Sequence, residues 1–293
     1  EFNVAIFSML AANVAARYHE FKNGSRAGTG DNDTTYKLGL EFRPIETLLI
    51  RGNYGTAFRA PEMSYIFAEP SLSFSNVTDQ WQCRRDNGNV VVNPNNCAPT
   101  LQSVQIRGST SGTPNLGSVT ADSWGVGFVW SPTDKFNLRA DYLNLKVDDK
   151  VASRSYGSIL TREADCRLGA TIGGTPTDIN SGECQNILSL IQRYPATDLL
   201  NPNGLIQVTT YPLNIAKETV ENVNVSATYR LDGGRWGDFV FNGNYFLMLD
   251  HTTQTFPEDP ATDWLAYKDY GVEFRNIGNV SASWEKDDWT VSV

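Results

Sequence analysis

The chain has 293 residues, 40% of them hydrophobic and 11% aromatic, and a net charge of −9. It contains no apolar run of roughly 18 residues, which excludes a transmembrane helix. The acidic balance also argues against nucleic acid as a partner, because neutralising phosphates needs clustered Lys and Arg. A mean hydropathy of −0.34 reads as water-soluble, yet a membrane barrel gives the same figure when half of each strand faces a wet lumen.

Phe2, Val4 and Ile6 alternate with polar or small neighbours, so the chain begins in a strand. After a break near Ser8–Leu10, Val14, Ala16 and Tyr18 resume the alternation, and a polar Gly-rich loop is expected over 21–33. Its run Gly30-Asp31-Asn32-Asp33 lacks the rest of a calcium-binding loop. Tyr36, Leu38, Leu40 and Phe42 form the next apolar face, and Arg43–Glu46 is a tight connection into Leu48–Met63. There Leu48, Ile50, Tyr54 and Phe58 alternate with Arg51, Asn53 and Arg59, until Pro61, which has no N–H to give to a ladder, ends the strand.

A stretch of about 59–118 follows with no sustained period, far longer than the ~15 residues a compact domain leaves structureless. It is expected to be a functional surface loop or to hide hairpins. Trp124, Val126, Phe128 and Trp130 restore period two, then Phe136, Leu138, Ala140 and Tyr142. After Tyr142 the apolar parity passes to Leu143, Leu145 and Val147, which predicts a bulge or an exit from the membrane. A second long loop is expected over 148–214, with one short helix behind a Ser181 cap that carries Ile187, Leu190, Ile191 and Tyr194. Strands return at 222–230, 239–249 and 280–293, separated by Asp232-Gly233-Gly234 and by a polar loop over 251–272.

These segments make about ten strands whose connections alternate short and long, the asymmetry of outer-membrane barrels. Tyr18, Phe42, Trp130, Tyr142, Tyr229, Trp284 and Trp289 crowd strand ends, as membrane girdles do. The fold class expected is all-β: an antiparallel transmembrane β-barrel segment with short periplasmic turns and long outer loops. The chain opens and stops inside alternating patterns, so a fragment of a longer polypeptide is expected. A closed sheet alone satisfies every backbone group in hydrocarbon, so such a fragment is expected to show two open edges.

Parity turns Arg17, Arg51, Asn53, Arg139, Asp141, Asn222, Asn224 and Arg230 towards the lumen, with Lys37, Asn242 and Asn244. The four cysteines fall in two local pairs, Cys83 with Cys97 and Cys166 with Cys184, which favours disulfides in an oxidising compartment over zinc. No hydrolase, P-loop or dinucleotide motif is present, the two histidines lie far apart, and neither an enzyme nor a cofactor or metal site is expected. Exposed loop rings, Tyr65, Phe67, Trp81 and Trp264, are the candidates for contact with a sugar face or an aromatic chelator.

The run Tyr54–Pro61, YGTAFRAP, resembles the "FRAP" signature of TonB-dependent outer-membrane receptors, with Phe58, Arg59 and Pro61 as its structural residues. Gly112–Leu116 resembles the segment that returns from the same loop. The resemblance implies one barrel domain over 1–293 without its plug, in the outer membrane of a Gram-negative bacterium. It implies capture of a siderophore, a cobalamin or an oligosaccharide, with outer-membrane lipid around the barrel and the TonB complex acting through the plug. The competing readings are a glycan-binding secreted β-sandwich or adhesin, and a passive porin.

Overall fold

The computed structural model describes every residue except 1, 23–29, 94–95, 115, 258 and 267–272. Most of the Gly-rich loop, Asn115 of the Gly112–Leu116 run and the end of the 251–272 loop therefore lie outside the described residues. In chain order, β1 (Phe2–Phe7), β2 (Leu10–Lys22), β3 (Gly30–Ile45) and β4 (Leu48–Arg59) come first. Next are α1 (Met63–Phe67), β5 (Ser71–Val77), α2 (Gln80–Asp86), α3 (Pro99–Gln102) and β6 (Val104–Thr110). The long strands β7 (Val119–Thr133) and β8 (Phe136–Ser153) precede α4 (Tyr156–Leu168), α5 (Gly182–Ser189), β9 (Ile191–Arg193) and β10 (Leu205–Thr210). The chain closes with β11 (Pro212–Asp232), β12 (Asp238–Gln254), the short β13 (Thr262–Asp263), β14 (Asn276–Lys286) and β15 (Trp289–Ser292).

The chain divides into two compact units. The first, residues 1–60, 117–151 and 214–293, is an open antiparallel sheet in the order β1-β2-β3-β4-β7-β8-β11-β12-β14-β15, with β13 beside β12. Among the described residues it does not close on itself, and β1 and β15 are its edges. One face is apolar and open: Leu38, Leu40, Ile50, Val126, Phe128, Phe241 and Val280 are all exposed. That exposure overturns the β-sandwich reading, in which these side chains would pack against a second sheet.

The strands are longer than the alternation alone suggests. β2 reaches Lys22 and β3 starts at Gly30, so Asp31–Asp33 pair in a ladder instead of lying in a loop. In the described pairing with β7 no bulge occurs at Tyr142: β7 and β8 stay in register from Thr120↔Asp148 to Trp130↔Leu138, and the shift falls at Trp130/Thr133. Of the two readings offered for the parity change, only departure from an apolar surround survives. Above Tyr142 the outward positions turn polar, with Tyr54 Oη donating to Asp122 at 2.8 Å and Asn144 Nδ2 to Glu221 at 2.6 Å. Tyr142 itself sits inside β8, not at a strand end, because the strand continues to Ser153.

The second unit, residues 61–116 and 152–213, is built from the two long connections and is not structureless. A four-stranded sheet in the order β5-β6-β10-β9 packs on helices. Its core holds Ile106, Ile159, Leu160, Ile187, Ile191, Leu205 and Val208, all buried. The two connections meet in parallel pairing of β10 with β6, from Gln207↔Arg107 to Thr210↔Thr110.

Two helices here follow from local chemistry. α5 starts as expected, with Ser181 Oγ accepting from Cys184 N at 3.2 Å. It stops at Ser189, so Ile191 belongs to β9 and Tyr194 lies beyond it, a correction to the longer helix read from spacing. α4 was not expected, although Ser155 caps its start by accepting from Ser158 N, and Gly169 takes the left-handed conformation at its end, φ 75°. Both cysteine pairs are bonded, Cys83–Cys97 and Cys166–Cys184, with Cα atoms 5.3 and 5.6 Å apart. Each bond closes a loop within one connection, at roughly 3 kcal/mol of stabilisation for loops of this length.

Candidate functional site: the polar wall of the sheet

The face opposite the apolar one carries the candidate site. Arg51 on β4, Gly127 on β7 and Asp141 on β8 stand side by side in the ladder. A side chain at 127 would block the path, since a Cβ there would lie 2.2 Å from Asp141 Oδ1. Gly127 therefore lets Arg51 reach across one whole strand. Its Nη2 donates to Asp141 Oδ1 at 2.6 Å and Oδ2 at 2.9 Å, and its Nε to Oδ1 at 3.0 Å. Arg139 Nε donates to Oδ2 of the same carboxylate. The fork of the guanidinium matches both carboxylate oxygens, so β4 and β8 are pinned across β7 by one charge-assisted cluster.

Around this cluster lies a cavity of about 600 Å³, lined by Arg51, Asn53, Arg139, Asp141, Asn224 and Asn244 among others. Amides continue the wall: Asn224 Nδ2 donates to Asn222 Oδ1 at 2.8 Å, and Asn244 Nδ2 to Asn279 Oδ1 at 2.9 Å. The sequence-derived lumen set is thus only partly brought together. Arg17 lines a separate cavity of about 550 Å³ with His19, Phe58 and Arg59. There β4 parts from β3, whose ladder with β4 reaches only Lys37↔Gly55, although β4 stays paired with β7 to Arg59↔Val119. Arg230 lies near the turn into β12, its backbone N–H donating to Lys135 O.

The four candidate ligand rings divide between the units. Tyr65 is exposed on α1 and Phe67 is half-buried. Trp81 is half-buried, with the guanidinium groups of Arg167 and Arg193 4.4 and 4.9 Å from its ring centroid, so cation–π packing engages it. In the first unit Trp264 donates from Nε1 to Thr253 Oγ1 at 2.9 Å and leans on His251.

That histidine belongs to a cluster that sequence reasoning missed. His251 Nδ1 sits 2.5 Å from Glu273 Oε2, and Nε2 sits 3.0 Å from Glu218 Oε1. Lys150 Nζ pairs with the other oxygen of Glu218. The residues come from β8, β11, β12 and the segment before β14, above the level where the outward face turns polar, so no sequence spacing links them. Burial pulls the His251 pKa down, but hydrogen bonds to Glu273 and Glu218 outweigh it and raise the value above the ordinary 6.5. Burial pushes Glu218 up, and its bonds to Lys150 and His251 more than reverse this, leaving it below the ordinary 4.5.

The sign of the pH dependence follows. The His251 contribution is complete below pH 6.5 and fades as pH rises through the raised folded value. The Glu218 contribution is complete above pH 4.5 and fades only as pH falls through its lowered folded value. An NMR titration of His251 in the full receptor is expected to show a midpoint above 6.5, moving down in Glu218→Gln. A midpoint at or below 6.5 in the wild type contradicts the pairing.

The family model "TonB dependent receptor-like, beta-barrel" matches residues 1–293. No curated protein matched the chain. A point variant of the ferric enterobactin receptor PfeA from Pseudomonas aeruginosa aligns over 99% of this chain and 30% of its own, at 14% identity and a TM-score of 0.52. Another PfeA variant, in complex with enterobactin, aligns over 98% and 30%, at 13% identity and 0.51. The FrpB iron transporter from Neisseria meningitidis aligns over 98% and 30%, at 10% identity and 0.51. At such identities the likeness is one of fold, and the chain spans about 30% of the receptors it matches.

Proposed function

The chain belongs to the TonB-dependent receptor β-barrel family, and from that premise we propose that it is part of the wall of an outer-membrane receptor for a ferric chelate. The observation that carries this reading is a sheet with two solvents. Its outward face leaves Val126, Phe128 and Phe241 exposed, and its inward face gathers Arg51, Asp141, Asn224 and Asn244 around one cavity. The rise from Phe239 to Leu249, at ~3.3 Å per residue and a tilt of ~40°, gives about 25 Å of height, the span of an outer-membrane apolar band.

Aromatic pairs stand at both margins of the exposed face: Trp124 with Tyr142, centroids 5.0 Å apart, and Trp130 with Phe136, 5.9 Å apart. Rings of this kind suit the headgroup level. The iron-chelate assignment rests on the family and on the PfeA and FrpB likenesses; cobalamin and oligosaccharide are the other substrate classes. Tyr65, exposed on α1, is the ring best placed to stack on such a ligand. In this reading the polar wall abuts a plug that the TonB complex moves.

The test is radioiron uptake by the full receptor in iron-starved cells, with and without a working TonB complex. Uptake of a ferric siderophore that stops without TonB is the expected result. Uptake that persists without it favours a passive pore, and transport of cobalamin or oligosaccharide alone replaces the substrate class.

A further inference from the structure

The inward face of β2, β3 and β4 carries cations with no counter-ion. Ala15 pairs with Lys37 and Arg17 with Thr35, so Arg17 and Lys37 are diagonal neighbours on one face, at a spacing of ~7–8 Å. Lys37 in turn faces Gly55 on β4. Arg59, the arginine of the FRAP-like run, follows on β4 with the same parity and borders the cavity of about 550 Å³ that Arg17 and His19 also line. All three cations are exposed, and the side chain of none has a hydrogen-bond or ion-pair partner among the described residues. Elsewhere in this unit Arg51, Arg139 and Lys150 each hold a carboxylate.

Small residues make this stretch of the wall low. Ala15 and Gly55 flank Lys37 in the ladder, and Ala57 separates Gly55 from Arg59 on the same face. His19 is half-buried, with Phe58 edge-on at 4.9 Å. Two carboxylates lie nearby, and neither pairs with these cations. Asp33, opposite His19, accepts from the Thr34 N–H at 2.7 Å, and Glu20, in the same cavity, has a partner of its own. The chain as a whole carries −9, so the patch stands against the sign of its surroundings. Its level follows from the ladder. Tyr54 pairs with Trp124 of the upper aromatic pair, and Gly55, Ala57 and Arg59 lie beyond it, towards the long connection.

We propose that Arg17, Lys37 and Arg59 form an anion-binding track at the outer mouth of the lumen, which selects a ferric chelate of net negative charge, one that presents carboxylate oxygens. The track rests on the receptor reading above and adds the sign of the ligand to it. A cleft lined by one sign of charge raises the local concentration of the opposite sign and speeds its capture. The two guanidinium groups offer planar forks to carboxylates, and Lys37 acts as a point charge between them and the Arg51 cluster. A carboxylate of the plug is the competing occupant. The level favours the ligand, because whatever enters from outside meets this end of the wall first.

The test is equilibrium dialysis of the full receptor, without the TonB complex, against two radiogallium chelates: the citrate complex, which is anionic, and the desferrioxamine B complex, which is cationic. Saturable binding of the citrate complex alone is expected. Its affinity should fall as salt rises from about 0.1 to 1 M, where the screening length drops from ~10 to ~3 Å. Arg17→Gln, Lys37→Gln and Arg59→Gln are each expected to weaken binding by up to about fivefold, the span of an exposed ion pair, and the triple variant by up to about a hundredfold. Arg43→Gln, in the turn from β3 to β4 with Glu41 at 3.8 Å, is the control and is expected to change nothing. The three side chains are exposed, so unchanged circular dichroism will show that the variants fold. The proposal fails if citrate does not saturate, if the cationic complex binds equally, or if the triple variant binds as the wild type does. A triple variant that melts lower but binds citrate unchanged overturns it in favour of the plug. TonB-dependent radioiron uptake that ignores the triple variant removes the track and leaves the transport reading standing. Charge-dependent binding in a receptor that takes up no iron does the reverse.

Discussion

Replacing Phe128 by Arg is expected to prevent the full receptor from folding into bilayers, at a cost of roughly 2–4 kcal/mol for a cation near the midplane. Phe128 lies between Ile50 and Ala140 in the ladder, in the middle of the exposed apolar face. A guanidinium there has hydrocarbon around it and no lumen water within reach. Phe241→Arg is expected to behave alike, since Phe241 stands between Tyr229 and Ala282 on the same face. The control is Ser226→Arg, on the wall of the wide polar cavity, where a long cation meets water and amides. Denaturant titration in lipid vesicles reads all three. Equal stability of Phe128→Arg and wild type would mean that the apolar face does not meet lipid.

That contrast rests on the part of the fold that was legible from the residues alone. Period two is visible in Tyr36–Phe42 and Trp124–Trp130 because each of these segments meets two environments, and side-chain parity is a property of the backbone itself. The alternation of short and long connections follows from the same segments. The Arg51–Asp141 bridge was half legible. Parity placed both residues inward, but their meeting depends on Gly127 between them, and that adjacency is a matter of strand order.

The second unit was hidden for a different reason. Its strands have three to seven residues, too few for a period to stand out. Its decisive pairing, β6 with β10, joins residues about a hundred positions apart in parallel, and no local pattern encodes it. Of its helices one was readable: Ser181 announced α5, whereas α4, bracketed in the same manner by Ser155 and Gly169, was not read from them. The cysteine pairs were readable because each closes a short loop. His251, Glu218 and Glu273 share neither period nor spacing.

Arg84→Met is expected to destabilise the second unit by about 3–5 kcal/mol, the cost of stripping one partner from a buried ion pair. Arg84 is fully buried at the end of α2 and donates from Nη2 to Asp165 Oδ1 on α4 at 2.7 Å. Its other bonds go to Asn89 Oδ1 and to the carbonyls of Thr161 and Ala170. The two long connections are therefore tied by charge as well as by β6 and β10. A second bridge repeats the device, with Arg193 donating to Asp79 at 2.7 Å and to Glu163 at 2.7 Å. Met fills part of the volume but leaves the Asp165 carboxylate inside the unit with Arg162 as its one remaining cation among the described residues. Adding Asp165→Leu is expected to recover a good part of the loss, because an apolar pair removes the buried carboxylate that has lost its shorter ion pair. Neither change touches the wall around Arg51, so hydrogen exchange should rise in 61–116 and 152–213 and stay level in β4, β7 and β8. Exchange that rises equally in those strands would mean that the second unit does not unfold on its own. A double variant no more stable than Arg84→Met would mean that the hydrogen bonds to Asn89, Thr161 and Ala170, not the charge, hold the helices together.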